Sequence, residues 1–162
     1  MLELVVPDVT RHSAWLASHR EWGPGVHEDG FGVGAEDDVV SAEGFATWVG
    51  RLRSLRDAQM WWVVDRDEVL GGVALRTGPE DVVLRLGHVG YGIRPSARGR
   101  GVATWALGAV LTHARAAGLG RVLLVCADDN VGSVRTIERH GGVLEKVIEV
   151  DDGRVRRYWI DV

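Results

Sequence analysis

The 162-residue chain is 46% hydrophobic, enough to bury one well-formed core and too short for two ordinary domains, so residues 1–162 read as a single domain. Its net charge of −4, from 19 Lys and Arg against 23 Asp and Glu, excludes a protein held mainly by nucleic-acid phosphate and suits an amine-bearing partner. The single cysteine, Cys126, excludes an intrachain disulfide, and no apolar stretch or signal-like start suggests a membrane or export; a cytoplasmic protein is expected.

Residues 2–6 form a short strand candidate ended by Pro7, and residues 9–20 a helix with Asp8 near its start. Residues 21–38 mix glycines and Pro24 with Glu28, Asp29, Glu36, Asp37 and Asp38, a composition that favours a loop. Ser41 can cap a second helix carrying Phe45, Trp48, Val49, Leu52 and Leu55 at spacings of three and four. Residues 60–64 and 69–76 read as a hairpin across a polar turn. After a breaker at 77–80 and an unassigned stretch at 82–86, a strand over 88–93 runs into Arg94-Pro95, where proline must stop it. Leu107, Val110, Leu111 and Ala114 repeat at helical spacing up to Gly118, and residues 122–127 have the apolar run of a buried strand. Asp129 or Asn130 can cap a short helix ending at Gly141-Gly142. Residues 143–150 and 155–162 close the chain as a hairpin around Asp151-Asp152-Gly153.

The turn between the strand at 88–93 and the next helix holds Arg98, Gly99, Arg100, Gly101, Val102 and Ala103. Glycine lets backbone approach a ligand closely, and the unpaired amides of a helix start favour an anion. Arg98 and Arg100 add charge-assisted donors, so a pyrophosphate is the expected guest. A dinucleotide fingerprint fails because Thr104 stands where a third glycine is needed, and no Gly-Lys-Ser/Thr occurs for a phosphate loop.

The segment Arg98-Gly99-Arg100-Gly101-Val102-Ala103 resembles the R/Q-x-x-G-x-G/A signature of the GCN5-related N-acetyltransferase (GNAT) family. Ile93-Arg94-Pro95 is similar to that family's V-x-P strand end, and Asn130-Val131-Gly132-Ser133 with Gly141-Gly142 to its N-x-x-S/A helix and the glycine after it. The likeness is closest to the branch with ribosomal-protein N-terminal acetyltransferases. It implies a mixed α/β GNAT-like fold, with a strongly bent, mostly antiparallel sheet of about seven strands and about four helices. It also implies acetyl-CoA as co-substrate and direct attack by a primary amine, on a small molecule or a peptide N-terminus, in a ternary complex. Ile93 and Arg94 would contact the acetyl and pantetheine end, residues 98–103 the pyrophosphate, and Asn130 and Ser133 the pantetheine.

An amine must lose a proton before attack, and the departing thiolate gains from a donor. The tyrosine that serves as acid in many members is replaced by Ile137. Ser133, one turn from both Asn130 and Ile137, is the candidate donor, with a merely structural hydrogen bond as the competing reading. His88 and Glu149 are the candidate bases, set against a water chain. The carboxylates of residues 28–38 either attract a cationic acceptor or are simply solvated. Trp22, Phe31, Trp61 and Trp62 either line a pocket or fill the core; Cys126 reads as a packing residue. The histidines show no metal-ligand spacing, so no metal is expected. A homodimer pairing through the sheet edge or the last strands, with Trp105 or Trp159, is a further expectation. The opposing function class is a CoA-binding sensor or interaction module that lost turnover.

Overall fold

A computed structural model describes residues 1–25, 27 and 30–162. Its elements in chain order are β1 (Leu2–Val5), α1 (His12–Arg20), α2 (Ala42–Arg53), β2 (Ala58–Asp65), β3 (Glu68–Arg76), α3 (Glu80–Leu86) and β4 (Val89–Ile93). They continue with α4 (Val102–Ala116), β5 (Arg121–Ala127), α5 (Val131–Arg139), β6 (Val143–Val150) and β7 (Gly153–Asp161). The strands form one sheet in the order β1-β2-β3-β4-β5-β7-β6. Every neighbouring pair is antiparallel except β4 and β5.

The apolar strands in the middle of the sheet are buried on both faces, and β2 shows how. Met60, Trp62 and Val64 point into one cluster with Trp15, Phe45, Trp48 and Leu52 of α1 and α2. Trp61 and Val63, the alternate residues, point into the other, with Ala106, Leu107 and Val110 of α4. Period-two alternation therefore feeds two cores rather than one core and solvent. Trp15, Trp48 and Trp62 are each at most 1% exposed, and burial of an aromatic this size stabilises by about 2–3 kcal/mol.

Helix α2 forms for the reasons its sequence suggests. Ser41 Oγ accepts from Gly44 N at 3.0 Å, and Phe45, Trp48, Val49 and Leu52 are buried on one stripe. Leu55 lies beyond the helix end and is 40% exposed. The Asn130 cap also forms, its Oδ1 accepting from Ser133 N at 3.0 Å. Gly141 follows α5 at φ 79, and Gly142 N donates to Ile137 O, closing the helix with a left-handed residue.

Five α-helices stand among the described residues, against an expectation of about four. The additional one is α3, entered from Pro79 with Glu80 and Asp81 in its first turn. Seven residues are too few for a helical period to show in sequence. Trp159 lies on β7, the last strand of the chain, which runs between β5 and β6, and the Arg121 guanidinium stands over its ring at 4.2 Å.

Glycines decide how the loop before α2 lies on the sheet. A Cβ on Gly72 would stand 2.6 Å from Gly30 O and 2.7 Å from a Phe31 ring carbon, and one on Gly71 only 2.1 Å from Gly92 O. The chain at Gly30–Phe31 therefore rests directly on bare strand backbone, and Phe31 is fully buried beside Trp15.

Candidate active site

β4 and β5 share a single register pair, Val89 with Leu124, while β4 stays paired to β3 as far as Ile93 with Gly71. β4 and β5 thus part after one contact, and two cavities open along the gap. One, of about 630 Å3, runs from Arg51 and Met60 past Arg76 and Val89 to Cys126. The other, of about 610 Å3, lies over the glycine-rich turn and the start of α4. Tyr91, Asn130 and Ser133 line both, and no other described residue does.

The turn has the shape its composition suggests. Gly99 and Gly101 adopt φ of 73° and 78°, conformations open to glycine at little cost. The first ladder bond of α4 is Trp105 N to Gly101 O, so the N–H groups of Val102, Ala103 and Thr104 have no helical partner. All three residues line the second cavity, and a Cβ added to Gly99 or Gly101 would meet no protein atom within 4 Å. An open cradle of unpaired amides at the positive end of a helix fits the diphosphate of a CoA.

The guanidiniums are distributed differently from expectation. Arg98 Nε donates to Ile93 O at 2.9 Å, and its guanidinium lies 4.7 Å from the Trp22 ring centre; both residues line the second cavity with Ile93. Arg100 is exposed and outside that cavity. Its charge reaches Asp65, which is held below its usual range chiefly by the N-terminal ammonium and only weakly by Arg66 and Arg100. Arg94 is committed elsewhere: Nε donates to Glu21 at 2.8 Å, a second nitrogen pairs with the same carboxylate, and another donates to Val69 O. Ser96 N and Oγ also donate to Glu21. These bonds, led by that from Arg94, lower Glu21 from 4.5 to about 2 and tie the end of α1 to the entry of the turn. Arg135 and Arg139 of α5 line the cavity instead; their spacing of four on one helix was the available signal.

Ser133 stands at the junction of the two cavities, its hydroxyl beside that of Tyr91. His88 lines neither cavity. Its Nδ1 accepts from Leu123 N at 2.8 Å, which places the ring proton on Nε2 and leaves no free lone pair for a base; burial also lowers its pKa. Glu149 is exposed on the outer strand opposite Arg154, away from both cavities. The geometry therefore brings Ser133 to the cavities and neither candidate base.

The acidic loop is largely spent on its own structure. Asp38 accepts from Val40 N, Ser41 N and Ser41 Oγ, bonds that hold it below its usual pKa, the Ser41 hydroxyl first. Asp37 accepts from Gly34 N and Arg51. Glu28 and Asp29 lie outside the described residues. Of the aromatics, Phe31, Trp61 and Trp62 are core, and Trp22 lines a cavity. Cys126 is half-buried on the wall of the first cavity, where burial above all pushes its thiol up to about 11. Tyr91 was missed; its place between Gly90 and Gly92 on the strand that runs into Arg94-Pro95 was the sequence signal. Among the described residues no cluster of three or more His, Cys, Asp or Glu could hold a metal, and no helix is long and apolar enough to cross a membrane.

A family model described as an acetyltransferase (GNAT) domain matches residues 17–143. No curated protein matches the chain in sequence. Among solved structures, a ribosomal-protein-S5-alanine acetyltransferase from Vibrio fischeri is 16% identical with a TM-score of 0.78, over 99% of this chain and 92% of that one. The ribosomal L7/L12 alpha-N-protein acetyltransferase RimL, in complex with CoA joined by a disulfide to one of its own cysteines, is 20% identical with a TM-score of 0.74, over 99% and 94%. The microcin C7 self-immunity acetyltransferase MccE, in complex with acetyl-CoA and AMP, is 16% identical with a TM-score of 0.72, over 99% and 92%. At these identities the likeness is one of fold.

Proposed function

The chain belongs to the GNAT family of acetyltransferases, and on that premise we propose that it moves the acetyl group of acetyl-CoA to a primary amine by direct attack in a ternary complex. The observation that carries this reading is the junction of the two cavities at Tyr91, Asn130 and Ser133. A cofactor whose diphosphate sits on the α4 amides would run its pantetheine along the gap beside β4 and reach the acceptor cavity at that point. Gly99, Gly101, Val102 and Ala103 hold the diphosphate, with Arg98, Arg135 and Arg139 supplying charge. Ile93 and Asn130 line the route of the pantetheine. Acetyl-CoA supplies an activated thioester carbonyl.

The acceptor nitrogen uses its lone pair to form the new C–N bond, the C–S bond breaks with its electrons staying on sulfur, and the nitrogen sheds its surplus proton. With His88 and Glu149 outside the cavities, water in the open acceptor cavity takes that proton. Ser133 Oγ–H donates a hydrogen bond to the sulfur as charge develops there. The acceptor is a small molecule or a peptide N-terminus; the neighbours named for ribosomal-protein acetylation support the peptide.

The competing reading, a CoA-binding sensor without turnover, draws on Ile137, a buried apolar residue where many members carry the acid. Spectroscopic release of free CoA from acetyl-CoA across a panel of amines, peptides and aminoglycosides decides between them. Saturable release with any acceptor supports the enzyme. Cofactor binding without release across the panel supports the sensor, and no cofactor binding sinks both.

A further inference from the structure

Among the described residues, five buried side-chain polar atoms lack a hydrogen-bond partner: Nε1 of Trp15, Trp22 and Trp62, Ser18 Oγ and Tyr91 Oη. Buried polar groups are nearly always paired, and an unpaired one calls for a reason. Only Tyr91 among the five lies where the two cavities join. Its ring packs on the core shared by β3, β4 and α4, so the phenol is held on a stiff strand. The hydroxyl is sealed from solvent beside those of Ser133 and Thr136. Neither completes a hydrogen bond with it, yet both partly offset the burial that raises the phenol to about 12.

We propose that Tyr91 is a positioning residue for Ser133: its Oη–H donates to Ser133 Oγ in the acetyl-CoA complex and turns the serine hydrogen toward the thioester sulfur. This rests on the acetyl-transfer reading above. It also answers the loss of the family's usual acid, since a phenol reaches the leaving group from β4 through a serine rather than directly from α5. Donating to Ser133 Oγ polarises that hydroxyl, which strengthens the bond it gives onward. When the C–S bond breaks, its electron pair stays on sulfur, and the resulting thiolate is held by Ser133 Oγ–H. The acceptor's surplus proton passes to water and from water to the thiolate. Tyr91 and Ser133 each keep their own proton. A phenol buried this deeply stays protonated across the neutral range, which suits a donor that lends a hydrogen bond without giving up its hydrogen.

The test uses bound CoA itself, followed by the ultraviolet absorbance of its thiolate as pH is raised, with the full-length protein. In wild type the bound thiol should ionise at a lower pH than free CoA. Tyr91→Phe, which keeps the ring and removes only the unpaired hydroxyl, should move that midpoint up by about one pH unit, a tenfold change. It should leave acetyl-CoA affinity within about twofold, and lower kcat roughly tenfold or more with any acceptor found. Ser133→Ala should produce the same upward movement, and adding Tyr91→Phe to it should change nothing further. Unchanged ionisation in Tyr91→Phe with CoA bound would overturn the proposal while leaving acetyl transfer intact. So would independent, additive effects of the two substitutions. Failure of wild type to bind CoA would overturn the acetyl-CoA reading and this one with it.

Discussion

Replacing Glu21 by Gln removes the charge from the group that ties α1 to the entry of the glycine-rich turn. The carboxylate accepts from two nitrogens of Arg94 and from Ser96 N and Oγ, and the side chains of Arg94 and Glu21 are 13% and 26% exposed. Its fall from 4.5 to about 2 corresponds to an upper figure of about 3 kcal/mol at ~1.4 kcal/mol per tenfold. A quarter of the side chain faces solvent, which screens the pair, so about 2 kcal/mol is the working value. For a domain this size that is a loss of roughly 4–8 °C in Tm. The sign in pH follows from a folded-state pKa depressed below the unfolded one. The stabilisation is fully present above the unfolded value of 4.5 and is lost as pH falls toward about 2. Urea unfolding of wild type and Glu21→Gln at pH 7 and pH 3 measures both. The gap between the two proteins should shrink to roughly half or less at pH 3. A gap of the same size at both pH values, or none at pH 7, would refute the electrostatic account of this joint.

Three further outcomes are expected. Gly72→Ala puts a methyl 2.6 Å from Gly30 O, so denaturant unfolding should show a loss of about 1–3 kcal/mol from overpacking; a neutral substitution would mean that the loop does not rest on the strand. Arg98→Ala combined with Gly101→Glu removes a donor and sets a carboxylate in the anion cradle, and should abolish thermal stabilisation by acetyl-CoA; retained stabilisation would place the diphosphate elsewhere. Cys126, with its thiol pushed up to about 11, should alkylate slowly at pH 7.5 and faster toward pH 11, and saturating CoA should slow it further because the thiol lines the gap. A rate at pH 7.5 equal to that of a free thiol would contradict this environment.

Features set by a few neighbouring residues are legible in the amino-acid sequence. The turn from Arg98 to Ala103, the Ser41 and Asn130 caps, the buried stripe of α2 and the two hairpins each depend on local backbone chemistry. Gly99 and Gly101 take positive φ, and Asn130 reaches Ser133 N, for reasons contained within six residues of chain. The short α3 falls below the length at which periodicity speaks, and the acidic loop misleads because composition cannot say where a carboxylate points. Asp37 and Asp38 are bound to Arg51 and Ser41.

What only the tertiary structure decided is where groups far apart in the chain meet. Glu21 finds Arg94 across 73 residues, and His88 loses its free lone pair to Leu123 across 35. Tyr91 comes beside Ser133 because β4 and β5 separate after one shared register pair. The glycine-rich turn is local, since its glycines and the start of α4 suffice to build it. The chemistry proposed at the junction of the cavities depends on a gap between two strands, and a gap belongs to the packing of the whole sheet rather than to any segment of sequence.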